Sequence, residues 1–370
     1  MTKQAKKDGT AVDLTSIRTR IDEVDKQIHA LINERATFAQ QVGISKGELA
    51  AAVDYYRPER EAEVLRAVLE RNEGPLRDEE ILRLFREIMS ACLAQQEPLK
   101  VGYLGPEGTF TQTAVYKHFG HSVRGLPYST IDEVFQEVES GVADFGVVPI
   151  ENSTEGTVNH TLDMFLTSPL KIGGEIEMRI EQHLLGNTDG LGSIKRICAH
   201  EQSLAQCRGW LREYLPQVEL IGVASNATGA RRARDEAGTA AIGGDAAAEV
   251  YDLKIMVNNI EDRDDNSTRF LVVGRELLSA SGQDKTTILV STSGTVGAGV
   301  LHNLLQPIAT HGVSMTRIES RPSRRQNWDY VFFIDLDGHA EESPLKDALQ
   351  ELQKNSSLFR LIGAYPKAVR

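Results

Sequence analysis

The sequence predicts a multidomain protein: an all-helical segment, a two-lobed α/β unit, and a small α+β domain. Three observations carry this. Apolar residues recur at three- and four-residue steps from about Val12 to about Gln96. Short β-branched runs then alternate with helical patterns through 100–275. From Thr286 the order becomes βαββαβ, the ferredoxin-like arrangement.

Composition narrows the partners. The 370 residues suit two or three domains, and 41% hydrophobic with 25% charged residues is ordinary for a globular chain. A net charge of −12 argues against nucleic acid or an anionic membrane as a general partner. Local arginines can still hold a small anion. No apolar run is long enough to span a bilayer. The Lys-rich stretch 1–10 reads as a flexible tail and lacks the apolar core of a secretory signal. Three cysteines, Cys92, Cys198 and Cys207, are odd in number and widely spaced, which fits reduced thiols in a cytoplasm. No CxxC or HExxH pattern occurs, and no cofactor or metal is expected.

The helical segment reads as three helices. Leu14, Ile17, Ile21, Val24, Ile28, Leu31 and Ile32 line one face of the first, which runs to the low 40s. Such length suggests pairing within a bundle or between chains. Pro58 suits the first turn of a second helix, broken by Gly74-Pro75. Asp78 is the expected N-cap of a third, carrying Ile81, Leu82, Phe85, Ile88 and Leu93. So little core can be buried this way that a dimer is expected. Arg35 and Lys46 are eleven residues apart and share nearly one helix face, whereas Arg18, seventeen before Arg35, points about 100° away. Arg60-Glu61 opens the second helix, and Cys92 and Gln96 lie one turn apart. Singly these suit solvated bundle faces. As a set they could line a pocket for a small polyanion.

In the α/β unit, strand Lys100–Leu104 feeds the turn Gly105-Pro106-Glu107-Gly108-Thr109-Phe110, whose N–H groups suit a carboxylate. Helices follow at Thr111–His118 and Ile131–Ser140. Strand Phe145–Ile150 ends in a polar knot, Glu151–Gly156, before a helix at Val158–Leu166, the pattern of a site at a strand end. Two strands lie within Lys171–Leu185, and others at Arg196–His200, Val218–Val223 and Ala240–Gly243. Helices are expected at Gln202–Tyr214, which contains Gln206, at Gly229–Ala237, capped by Ser225–Thr228, and at Asp245–Tyr251. The alternation argues for a parallel-sheet unit of two lobes. The chain leaves lobe one near Ile176, returns near Asp262–Asn266, and finishes in Phe270–Val273. That sets Asn266-Ser267-Thr268-Arg269-Phe270 at the crossover, facing the cleft. In the last domain, strands at Thr287–Val290, Ser314–Ser320, Trp328–Asp335 and Leu358–Gly363 alternate with helices at Val300–His311 and Pro344–Lys354. Gly294, Gly297 and Gly299 do not make a dinucleotide fingerprint.

Residues 12–96 resemble the all-helical chorismate mutase family. The match runs through Arg18, Glu34-Arg35, Lys46, Pro58-Glu59-Arg60-Glu61 and Phe85-Arg86-Glu87-Ile88 to Gln95-Gln96. Residues 100–275 resemble prephenate dehydratase through Gly105-Pro106-x-Gly108-Thr109-Phe110, Val148-Pro149-Ile150-Glu151-Asn152-Ser153 and Asn266-Ser267-Thr268-Arg269-Phe270. The C-terminal segment resembles a phenylalanine-binding ACT regulatory domain through Glu319-Ser320-Arg321-Pro322 and Gly297-Ala298-Gly299-Val300, with Gly299 where relatives usually carry leucine. These resemblances imply an all-α chorismate-mutase-like domain at 11–97 and an ACT domain at 285–370. Between them they imply a periplasmic-binding-protein-like α/β dehydratase domain at 99–280, with lobe one at 99–175 plus 263–280 and lobe two at 176–262.

The implied function is a bifunctional enzyme of phenylalanine biosynthesis with phenylalanine feedback. The first reaction is a pericyclic rearrangement, which asks for a folded substrate and stabilised ether oxygen, not an acid or base. The resemblance assigns carboxylate contacts to Arg18, reaching the partner's site, and Arg35. It gives the ether oxygen to Lys46 and Gln96, the substrate hydroxyl to Glu61, and further binding to Arg60 and Cys92. In the second reaction Thr268 would protonate the departing hydroxyl, while Asn152 and Gln206 orient the substrate. Thr109, Thr111, Ser153 and Arg269 would meet carboxylates, with Arg269 also open to bridging the lobes. His200 stands between acid/base work and a helix start. Gly297, Ala298, Val300, Glu319, Ser320, Arg321 and Pro322 would take the effector. The expected state is a cytoplasmic homodimer or homotetramer. Two other readings stand beside this one: a monofunctional prephenate or arogenate dehydratase with an inactive helical domain, and a non-catalytic sensor.

Overall fold

The computed structural model describes residues 13–46, 56–95, 97–292, 298–323 and 330–369. Its first unit is helical: α1 (Leu14–Lys46), α2 (Pro58–Glu70) and α3 (Asp78–Leu93). The 33 residues of α1 span about 50 Å. Its apolar stripe is open to solvent, Leu14, Ile17, Ile21, Ile28 and Leu31 being 41% to 68% exposed. Pro58 is the first residue of α2, where a missing N–H leaves no helical bond unmade. Asp78 is not the N-cap of α3 as expected; Arg77 is, and Asp78 lies in the first turn with Glu79 and Glu80. There the three carboxylates face the positive end of the helix dipole, and Asp78 Oδ1 accepts from Asn72 Nδ2 at 2.6 Å. No helix among the described residues is long and apolar enough to cross a membrane.

Lobe one follows with β1 (Lys100–Leu104), α4 (Phe110–Phe119), β2 (Arg124–Tyr128), α5 (Ile131–Glu139), β3 (Phe145–Asn152), β4 (Gly156–Thr157), α6 (Asn159–Met164) and β5 (Lys171–Arg179). Lobe two holds β6 (His183–Gly186), β7 (Arg196–Ala199), α7 (Glu201–Gln206), α8 (Arg208–Tyr214), β8 (Glu219–Gly222), α9 (Asn226–Asp235), β9 (Thr239–Gly243), α10 (Asp245–Val250) and β10 (Lys254–Val257). Strand β11 (Ser267–Gly274) then returns to lobe one. The last unit is β12 (Asp284–Ser291), α11 (Val300–Thr310), β13 (Met315–Pro322), β14 (Tyr330–Asp337), α12 (Leu345–Asn355) and β15 (Leu358–Pro366).

Neither sheet is purely parallel, contrary to the expectation. β1 is parallel to β2 and β3, but β11 is antiparallel to both β3 and β5. The reason is the crossover: β5 leads out of lobe one and β11 leads back beside it, so the two must run in opposite directions. In lobe two β6 is antiparallel to β9 and β10, while β7 is parallel to β8 and β9. Strands β2 and β10 escape the sequence pattern. β2 contains Gly125 and Pro127, which an edge position tolerates. The helix expected over Gln202–Tyr214 breaks at Cys207. Asp262 causes α8 to restart there, its carboxylate accepting from the N–H groups of Gly209 and Trp210 at 2.8 and 3.1 Å.

The C-terminal unit is not a separate bead. Its strands continue the lobe-one sheet in the order β13-β14-β12-β15-β5-β11-β3-β1-β2. One apolar core crosses the seam, with Val148, Ile150, Leu162 and Phe165 packed beside Leu289, Val331, Phe333 and Ile362. The ladder at the seam is a single pair, Gly363 with Ile172. A Cβ on Gly363 would sit 2.5 Å from the Ile172 carbonyl oxygen, so only glycine permits this approach. Gly363→Val is therefore expected to cost about 1–3 kcal/mol. Hydrogen exchange should quicken in β5 and β15 together; unaltered protection would contradict a seam set by close backbone contact.

Candidate active sites

Thr268 is the second residue of β11 and lies opposite Asn152, the last residue of β3. Asn152 Nδ2 donates to Thr268 Oγ1 at 2.8 Å and to Asn266 Oδ1 at 3.2 Å. Asn152 Oδ1 accepts from the backbone N–H of Thr154 at 3.0 Å and of Glu155 at 3.2 Å. A backbone N–H can only donate, so the Asn152 amide has one orientation. The Thr268 oxygen thus receives a hydrogen bond and its own proton must point elsewhere.

Lobe two contributes Gln206, at the end of α7. Its Nε2 donates to Thr154 Oγ1 at 3.1 Å, and its Oε1 accepts from Asn266 at 3.1 Å and Gln182 at 3.2 Å. Gln182 also donates to Ser203 Oγ, which accepts from Asn226 as well. Gln182 is buried, and its Oε1 has no hydrogen-bond partner among the described residues. The lobes meet a second time at the glycine-rich turn. Tyr251 Oη donates to the Glu107 carbonyl at 3.0 Å. Gly108, at φ +83°, has a Cβ position 2.9 Å from the Tyr251 ring.

Thr268, Asn152 and Gln206 come together as a set. Thr154, Asn266, Gln182 and Ser203 join them without having been expected as site residues. Asn266 was within a recognisable motif, but Gln206 and Thr154 are 52 residues apart and carry no local signal of contact. Thr109 caps α4, its Oγ1 accepting from Gln112 N and donating to the Leu104 carbonyl. Thr111 is buried in the first turn of that helix. Ser153 Oγ accepts from Ser267 N at 3.0 Å, tying the knot to β11. His200 is exposed and caps α7, its Nδ1 accepting from Gln202 N, which is the helix-start role.

Arg269 is not brought to this cluster. Adjacent side chains on a strand face opposite ways, and its guanidinium lies in the seam with the C-terminal unit. It pairs with Glu175 at 2.9 Å and Asp335 at 2.8 Å and donates to Tyr365 Oη at 3.2 Å. Thr287 donates to Asp335 at 2.7 Å, and Lys285 pairs with Glu175 at 2.7 Å.

In the helical unit Arg18 is exposed and Arg35 half-buried on α1. Arg60 pairs at the surface with Glu63, and Cys92 is buried on α3. The Lys46 side chain and Gln96 lie outside the described residues. Glu61 sits near Tyr56, Arg86 and Arg35. Burial pushes its carboxyl up to about 7, against the opposing pull of Arg86, a Tyr56 hydrogen bond and Arg35. Tyr56 in turn lies 3.3 Å from His118 Nε2 of α4 and packs on Phe119 and Phe145. A carboxyl whose pKa rises on folding binds its proton more tightly when folded. Its contribution is full below the ordinary value of 4.5 and is lost as pH rises through about 7. The wild-type thermal midpoint is expected to fall across that window relative to Glu61→Gln. Parallel curves for the two proteins would count against a Glu61 carboxyl raised to about 7.

Of the expected effector residues, Gly297 lies outside the described residues. Ala298 is exposed, Gly299 caps α11 at φ +83°, and Val300 opens that helix. On β13, Arg321 pairs with Asp163 of lobe one through two nitrogens, the shorter contact being 2.8 Å. Glu319 accepts from Thr157 at 3.1 Å, Ser320 is exposed, and Pro322 ends the strand.

Comparison with known proteins covers all three units. The family models that match are prephenate dehydratase over residues 101–277, chorismate mutase type II over 17–97 and the ACT domain over 297–353. A bifunctional chorismate mutase/prephenate dehydratase of Pseudomonas aeruginosa is 53% identical over 361 residues, covering 96% of this chain and 98% of that protein. A prephenate dehydratase from Arthrobacter aurescens, solved in complex with L-Phe, is 36% identical with a TM-score of 0.68, covering 72% of this chain and 90% of that one. A protein described as a quorum-quenching acylase, GqqA, is 29% identical with a TM-score of 0.67, covering 73% of this chain and 98% of that one.

Proposed function

This chain belongs to the bifunctional chorismate mutase/prephenate dehydratase family, and on that premise we propose how its residues divide the two reactions. The chain is an enzyme with both activities. It rearranges chorismate to prephenate, then dehydrates and decarboxylates prephenate to phenylpyruvate, in aromatic amino acid biosynthesis.

One observation carries the dehydratase assignment: Thr268 accepts a hydrogen bond from an Asn152 amide that can point only one way. Thr268 is the proton donor to the departing ring hydroxyl. The C–O bond breaks as water leaves, and the electron pair released with CO₂ completes the aromatic ring. Aromatisation drives the step, so a weak acid in a fixed position suffices. Asn152 and Gln206 orient the ring. The substrate carboxylates lie toward the start of α4, near Thr109 and Thr111, and toward Ser153. Arg269 serves the seam and not the substrate, a reading supported by its three buried partners.

In the mutase, Arg18 of one subunit and Arg35 of the other hold the carboxylates. Lys46 and Gln96 donate to the ether oxygen, Arg60 and Cys92 add contacts, and Glu61 accepts from the hydroxyl. The active unit is at least a homodimer. The exposed stripe of α1 supports this, since a helix of that length with an open apolar face is stabilised by a second copy. Phenylalanine is the feedback effector, bound near Ala298, Val300 and Glu319–Pro322. Docking of Arg321 and Glu319 on lobe one offers a route from effector to cleft. A cytoplasmic location suits three buried, free thiols.

The test is direct. Purified protein given chorismate should form prephenate and then phenylpyruvate, and phenylalanine should slow the second step. Turnover of prephenate alone would refute the mutase assignment. A rate and oligomeric state indifferent to phenylalanine would remove the feedback reading.

A further inference from the structure

The polar side chains between the lobes form a closed circuit. Thr154 Oγ1 donates to Asn152 Oδ1 at 2.6 Å, and Asn152 Nδ2 donates to Asn266 Oδ1 at 3.2 Å. Asn266 Nδ2 donates to Gln206 Oε1 at 3.1 Å, and Gln206 Nε2 returns to Thr154 Oγ1 at 3.1 Å. Every member donates to the next in one direction. The sense is imposed by the two backbone N–H groups on Asn152 Oδ1, which leave that oxygen no role but acceptor. The ring joins the β3 knot, the returning crossover and lobe two. Asn152 and Asn266 are nine-tenths or more buried, so the bond between them acts in a low-dielectric setting, while Thr154 closes the ring at its exposed edge. Three members are amides, which donate and accept through different atoms. Thr154 alone does both through one oxygen, so its hydroxyl closes the circuit.

We propose that Thr154 is a positioning residue for prephenate dehydration: its hydroxyl closes a one-way hydrogen-bond ring that clasps the two lobes and holds the Asn152 amide on Thr268. Thr154 need not touch the substrate. It acts through Asn152, whose Nδ2 serves both the ring and Thr268 Oγ1, and through Gln206, whose amide loses its Nε2 acceptor if the hydroxyl is removed. This rests on the reading of Thr268 as proton donor.

The experiment compares full-length Thr154→Val, which keeps the shape and loses the hydroxyl, with Thr154→Ser, which keeps the hydroxyl. Thr154→Val should lower kcat for prephenate by roughly 10–100-fold, the scale of a misplaced reacting group. KM should move much less, and the mutase activity of the same preparation should be unchanged. Thr154→Ser should restore most of kcat. Thr154→Val added to Asn152→Ala should cost little beyond Asn152→Ala alone, because the hydroxyl works through that amide. Wild-type kcat in Thr154→Val would overturn the proposal, as would Thr154→Ser failing like the valine variant, or both activities falling together. Failure of the Thr268 reading looks different: Thr268→Val would then retain dehydratase activity whatever Thr154 does.

Discussion

Thr268→Val loses about 10²–10⁴-fold in prephenate turnover, the range for a removed general acid, while chorismate turnover in the same protein is unaffected. Valine is nearly isosteric with threonine and equally at home in a strand, so β11 keeps its place. What goes is the proton, together with the oxygen that accepts from Asn152 Nδ2 at 2.8 Å. The orphaned amide stays aimed at the gap, because the Thr154 hydroxyl and the N–H groups of Thr154 and Glu155 still hold its oxygen. Coupled assays on one preparation check this: prephenate should accumulate from chorismate and stop there. Thr268→Ser should recover much of the rate. Equal loss of both activities would contradict two separate sites.

Arg269→Met produces the other large effect, and it is one of stability. The Glu175 and Asp335 side chains are 3% and 5% exposed and share the Arg269 guanidinium. Removing one partner of a buried ionic cluster leaves charge without compensation, typically costing about 3–5 kcal/mol. Lys285 remains on Glu175, so Asp335 bears most of the loss. Because Asp335 lies on β14 and Arg269 on β11, the expected readout is joint. The lobe-one and C-terminal strands should lose hydrogen-exchange protection together, and the thermal midpoint should fall. Arg269→Lys keeps charge but not the fork that reaches Glu175, Asp335 and Tyr365 at once, so it should recover only part. An unchanged midpoint in Arg269→Met would mean the cluster contributes nothing net.

These neighbours on one strand show where sequence reading stops. Thr268 and Arg269 stand side by side in a single motif; Thr268 was expected at substrate, and Arg269 either at substrate or bridging the lobes. Which faced the cleft depended on the strands beside β11. The pleat sends adjacent side chains to opposite faces, and the face given to Arg269 is filled by β5, β14 and β15. Similarly, β2 was invisible because glycine and proline mask an edge strand, and the break at Cys207 follows from Asp262, which lies far along the chain.

By itself the sequence determined the order of three units, the helix and strand type of most elements, and a set of arginines suited to a small polyanion. Those follow from periodicity and from residue type, which are local; the pairing of a hydroxyl with two amides for a dehydration came from the resemblance its motifs carry. Tertiary structure alone decided that the last unit shares a sheet and a core with lobe one and that Arg269 belongs to their seam. It also decided that Thr154 joins residues from both lobes. Each rests on contacts between positions 52 to 193 residues apart, and no local pattern specifies which distant partner a side chain meets. Strand pairing and lobe closure set that, and they are properties of the packed chain.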